Sequence, residues 1–99
     1  MTSLPVGLEF TEGPLLEAWG RIRNLSVGGL EIETHFPIKR AQKVYLSFYI
    51  EDHYHFEHSP ARIIWIKIQE HQYSAGISFE ENVDRAHLRD AMVFLVNRI

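Results

Sequence analysis

Residues 21–34 read RIRNLSVGGLEIET. Arg21 and Arg23 flank Ile22 on the way into a polar corner holding Asn24 and Ser26. The chain then crosses Gly28 and Gly29, after which Leu30 and Ile32 alternate with Glu31 and Glu33. Apolar residues at every second position on both sides of a turn mark two antiparallel strands, each with one face on a core. The corner carries more chemistry than a hairpin requires. Asn offers a donor pair and an acceptor, and Ser a rotatable hydroxyl, so together they can read a base edge or a phosphate oxygen. Gly28 and Gly29 permit positive φ and let a ligand approach the backbone closely. Arg21 and Arg23 share one strand face. Their guanidinium groups can stack on a purine or fork onto guanine or phosphate.

The same period runs outward from this stretch. Leu4, Val6, Leu8 and Phe10 alternate and end at Glu12-Gly13-Pro14. Leu16, Ala18, Gly20 and Ile22 share an inward face, with Glu17, Trp19, Arg21 and Arg23 opposite. Pro37 to Gln42 connects to Val44, Leu46, Phe48 and Ile50, the next inward face. Glu51 to Pro60 is a polar, His-rich crossover or long hairpin. In ARIIWIKIQ, residues 61–69, Ile64, Ile66 and Ile68 lie on one face and Ile63 and Trp65 on the other. That density predicts a central strand covered on both sides, with Trp65 in the core. Glu70 to Gln72 links it tightly to Tyr73, Ala75, Ile77 and Phe79, hence an antiparallel pair.

From Asn82 the period becomes helical. Leu88, Met92, Leu95 and Ile99 recur on one side, and Asn82 or Asp84 can cap the start. The pattern predicts an all-β-dominated single domain: about six antiparallel strands over about 4–80, closed as a small barrel or sandwich, with one C-terminal α-helix over about 83–98.

Composition narrows the function. The 99 residues are 45% hydrophobic, enough for one core. No apolar run approaches the ~20 residues of a membrane-spanning helix, and residues 1–10 do not read as a secretion signal. The chain lacks cysteine, which excludes disulfides, thiolate metal sites and a cysteine nucleophile. A cytoplasmic protein is the expectation. A net charge of −3 argues against binding long nucleic acid but not against a ligand with one or two phosphates. Nucleophile elbows, phosphate loops and metal-hydrolase helices are absent from the sequence, so no enzyme is expected.

The corner and the later hairpin together resemble one family. The chain is similar to PilZ domains, bacterial receptor modules for cyclic di-GMP, whose Asn-x-Ser-x-x-Gly motif is matched by Asn24, Ser26 and Gly29. Their late hairpin, a Val/Ile-x-Trp strand followed by Gly-Ile/Val-x-Phe, is matched by Trp65, Gly76, Ile77 and Phe79. The resemblance implies a small six-stranded antiparallel β-barrel with one C-terminal α-helix, cyclic di-GMP as ligand, no cofactor, and output through a protein partner in control of motility, biofilm or exopolysaccharide. The expected ligand surface is Asn24, Ser26, Gly28, Gly29, Arg23 and Arg21.

The family also carries an Arg-x-x-x-Arg clamp before its first strand. These 99 residues hold no such motif, Arg21 being the first arginine. Two explanations fit: a natural protein that begins here without the clamp, which is the expectation, or a fragment cut downstream of it. Losing two arginines and their charge-assisted bonds weakens binding by roughly 3–6 kcal/mol. The alternative is therefore an adaptor of the same fold that acts through protein contacts alone, with Arg21 and Arg23 paired to Glu31 or Glu33.

Two further features carry weaker expectations. His53, His55, Glu57 and His58 bring metal-ligand types together at a spacing that matches no established motif, so no metal site is expected. Trp19 shares the outward face with Arg21 and Arg23. Core or helix-covered burial is the expectation for it, and a stacking platform or partner contact the alternative.

Overall fold

Leu8, Ile32, Leu46, Phe48, Ile50, Ile63 and Ile77 are the largest strand side chains removed from solvent, and nearly all fall on the inward phase of an alternating run. Burying one such face commits each run to a sheet, and closing the sheet leaves no long edge unpaired. The computed structural model describes residues 4–50, 54–80 and 85–97. Its strands are β1 (Leu4–Glu9), β2 (Glu17–Leu25), β3 (Gly29–Thr34), β4 (Lys43–Ile50), β5 (Tyr54–Gln69) and β6 (Gln72–Phe79), followed by α1 (Arg85–Asn97). All neighbouring strands pair antiparallel in a closed barrel of order β1-β2-β3-β6-β5-β4.

Of the barrel and the sandwich that the alternation allows, the structure takes the barrel, with the terminal helix as expected. The His-rich segment belongs to a long β4–β5 hairpin, with Ile50 opposite Tyr54. Glu70 and His71 form the two-residue link between β5 and β6, and Glu70 adopts φ 56°, as turns matched to the strand twist require.

Helix α1 closes the end of the barrel that carries the β2–β3 turn and the β4–β5 hairpin. Leu88 and Ala91 are fully buried. The His87 ring packs against Phe56 and Tyr54, with centroids 4.8 and 5.3 Å away, and Phe94 adds a contact to Tyr54. Thr34 is the one buried polar side chain among the described residues, and it is fully bonded. Its hydroxyl donates to the Trp19 carbonyl at 2.7 Å and accepts from the Phe36 N–H at 3.2 Å. The expected caps Asn82 and Asp84, the side chain of Leu95, and Ile99 lie outside the described residues.

Three register shifts interrupt the strand pairing, on β2–β3, β4–β5 and β5–β6, and two of these bulges correct the simple alternation beside the turn. On β5, Ile63 faces Ile77 and Trp65 faces Gly76, so Ile64 and Trp65 together oppose one residue of β6. Both then project outward, 50% and 41% exposed, so β5 is not covered on both sides there and Trp65 is not a core residue. Ile68, near the strand end, is exposed as well. On β2, Ile22 faces Ile32 and Asn24 faces Glu31, which makes Arg23 the extra residue. Trp19 also departs from expectation: it is 67% exposed, and its ring meets Phe36 edge-on at 4.7 Å. Leu16 lies before β2 and is exposed rather than part of its inward face.

Candidate functional site

The corner between β2 and β3 is a two-residue turn at Val27 and Gly28. The Ser26 N–H donates to the Gly29 carbonyl at 2.8 Å, the Gly29 N–H returns to the Ser26 carbonyl at 3.3 Å, and the Ser26 hydroxyl adds a bond to the Gly29 carbonyl at 3.1 Å. The Phe79 N–H holds the Gly28 carbonyl at 3.0 Å, and Arg85 Nη1 of α1 holds the Val27 carbonyl at 2.7 Å. The carbonyls of Val27, Gly28 and Gly29 are thus engaged by the protein, which reduces the repulsion an approaching anion meets.

The glycines work differently from the sequence expectation. Among the described glycines the left-handed region is used by Gly13, at φ 89°, and not by Gly28 or Gly29. Gly29 is required by proximity instead, because a Cβ there would collide with the Ile77 carbonyl. A Cβ on Gly28 would meet open space.

Strand register spreads the outer face into rows. Asn24 faces Glu31, Glu31 faces Gly76, and Gly76 faces Trp65, so one row crosses β2, β3, β6 and β5. The indole of Trp65 rests over Gly76, where a Cβ would overlap its five-membered ring. Between this ring and the turn lies a cleft of about 350 Å³ lined by Asn24, Ser26, Gly28, Glu31, Trp65 and Ser78, among others. It combines an aromatic surface, a hydroxyl pair and an amide, a set suited to a planar, polar ligand.

Of the residues expected at the site, the structure brings Asn24, Ser26, Gly28 and Gly29 together along this cleft. It does not bring the arginines with them. Arg23 Nη1 pairs with Glu33 Oε1 at 2.7 Å, the cross-hairpin pairing foreseen as the alternative. Arg21 lines a second cleft, of about 510 Å³, with Trp19, Glu33, Thr34 and Phe36. Asn24 Nδ2 donates to Glu31 Oε1 at 3.0 Å.

Sequence reasoning missed Trp65, Glu31 and Ser78 as lining residues. The available signal was the loss of alternation at Ile63-Ile64-Trp65-Ile66, four large apolar residues in succession, which a bulge accommodates. Of the His-rich stretch, His53 lies outside the described residues. His58 stacks on Tyr45 with centroids 4.2 Å apart and approaches Glu9 at 3.6 Å. His55 meets the ring of Tyr49 edge-on. Among the described residues no cluster of three His, Asp or Glu side chains could hold a metal ion, and no helix is long and apolar enough to cross a membrane.

Comparison with known proteins gives a consistent picture. A family model described as PilZ domain matches residues 2–97. The fold superimposes on the structure of YcgR in complex with c-di-GMP from Escherichia coli, with a TM-score of 0.69 and 14% sequence identity. That match covers 95% of this chain but 42% of the YcgR chain. No curated protein matches the chain by sequence.

Proposed function

Because the chain belongs to the PilZ domain family, we propose that it is a receptor module for cyclic di-GMP that binds the dinucleotide in the cleft between the Ser26–Gly29 turn and Trp65. The observation that carries this reading is the seating of Trp65 over Gly76, in the same row as Asn24 and beside Ser26 and Gly28. A base stacks on the outward face of the indole, and such stacking contributes about 1–3 kcal/mol per base. Ser26 and the bare Gly28 give the sugar–phosphate ring room and a hydroxyl at the turn. The family resemblance and the ligand held by YcgR, a protein of the same fold, support the choice of dinucleotide. The bound module acts in the cytoplasm as a non-enzymatic adaptor, passing the signal by protein contacts to control motility, biofilm or exopolysaccharide.

One observation favours a second reading. Arg21 and Arg23 stand outside the cleft, so the described lining residues include no cation to meet a phosphate. An adaptor that works through protein contacts without ligand fits that arrangement. Calorimetry with cyclic di-GMP separates the two. Under the receptor reading the parent binds, and Asn24→Ala and Trp65→Ala each weaken binding about tenfold or more. Absence of heat at about 100 µM ligand, a ceiling near −5.5 kcal/mol, leaves the adaptor. Binding unchanged in both variants places the site elsewhere.

A further inference from the structure

The described lining residues of the cleft carry one charge, the Glu31 carboxylate. At its β2–β3 side stand Asn24 and Glu31, joined by the bond from Asn24 Nδ2 to Glu31 Oε1 at 3.0 Å. Arginines bond carbonyls at both rims: Arg85 Nη1 donates to the Val27 carbonyl at the turn at 2.7 Å, and Arg40 Nε donates to the Ile64 carbonyl, beside Trp65, at 3.3 Å. A carboxylate repels phosphate and attracts donors, so Glu31 is suited to the donor edge of a base rather than to a phosphodiester.

From this we propose that Glu31 is the residue that selects guanine, by accepting hydrogen bonds from the Watson–Crick edge of a base stacked on Trp65. The inference deepens the receptor reading above and rests on it. An ionised carboxylate only accepts. Asn24 spends one amide N–H on Glu31 and keeps the other and its Oδ1, while Glu31 keeps Oε2 and its remaining lone pairs as acceptors. Guanine answers with N1–H and the exocyclic N2 amine, two adjacent donors that a carboxylate can take together. Adenine offers an amine beside the bare N1 lone pair, and that lone pair would face a carboxylate oxygen with no proton between them.

The spacing suits this. Glu31 and Trp65 flank Gly76 on successive strands, and neighbouring strands lie about 4.8 Å apart. Because the indole leans over Gly76, the gap between ring and carboxylate is crossed by one strand bare of side chain. In that row Glu31 is the next side chain that a base edge overhanging the indole would meet. Bonds of this two-pronged kind discriminate by about 1–3 kcal/mol per base, roughly five- to 150-fold.

The test is a calorimetric comparison of cyclic di-GMP, cyclic di-AMP and the mixed guanine–adenine cyclic dinucleotide on the parent and on Glu31→Gln. Glutamine keeps the shape and can still accept from Asn24, but it replaces one acceptor with a donor. The parent is expected to prefer cyclic di-GMP over cyclic di-AMP by about tenfold or more, with the mixed ligand between them. Glu31→Gln is expected to lose about tenfold towards cyclic di-GMP and to bring the three ligands within about threefold of one another. An unaltered thermal melt shows that the variant folds. A parent that binds with selectivity unchanged in Glu31→Gln overturns the assignment to Glu31 alone. A parent silent towards all three ligands overturns the receptor reading itself.

Discussion

The indole of Trp65 occupies the space that a side chain at residue 76 would need: a Cβ on Gly76 would overlap the ring. The bulge at Ile64 turns Trp65 outward, and Gly76 lets it lie down against the sheet instead of standing in solvent. The half-exposed ring is held by contact with the backbone beneath it, so it is pre-organised as a platform.

Gly76→Ala should lift the indole and remove the platform without touching any other lining residue. Ligand affinity is expected to fall as far as in Trp65→Ala, and overpacking should cost about 1–3 kcal/mol of stability. Tryptophan emission measured in a Trp19→Phe background, together with urea denaturation, checks both effects. Emission and affinity equal to the parent would refute the contact.

Gly29→Ala tests the other close approach. The new methyl would meet the Ile77 carbonyl, so β3 and β6 must separate where the turn begins. A loss of about 2–4 kcal/mol is expected in chemical denaturation, whereas Gly28→Ala, facing open space, should cost less than about 1 kcal/mol.

Arg85→Ala removes the bond from α1 to the Val27 carbonyl. A charged donor lost from a part-buried carbonyl should cost about 1–2 kcal/mol. Amide hydrogen exchange should quicken at Ser26 and Gly29, whose mutual bonds close the turn. Exchange that quickens only within the helix would show that α1 does not steady the turn.

Arg23→Ala should be nearly silent. Its ion pair with Glu33 is 41% and 30% exposed at the two side chains, a setting where such pairs contribute about 0–1 kcal/mol. Ligand affinity should change by less than about threefold in calorimetry. A larger loss would mean that the guanidinium leaves Glu33 for the ligand.

Alternation by itself determined the strands and most of their inward faces. Val44, Leu46, Phe48 and Ile50, and likewise Leu30 and Ile32, have one face to bury, and a one-residue slip would expose the whole set. The period change after residue 82 announced the helix in the same local way, and the Asn24–Gly29 corner was legible as a turn with available polar groups. Tertiary structure alone decided what stands across from that corner. Bulges insert a residue into the two-residue period, and whether the chain uses one depends on partner strands far along the sequence. Trp65 left the core, and Arg23 became the extra residue tied to Glu33, for that reason. The exposed placement of Trp19 against Phe36 depends in the same way on a distant loop, as does the meeting of Glu31 on β3 with Gly76 on β6, strands joined by no short connection. A pattern along one strand records which way its side chains point; their neighbours are set by how six strands close on one another.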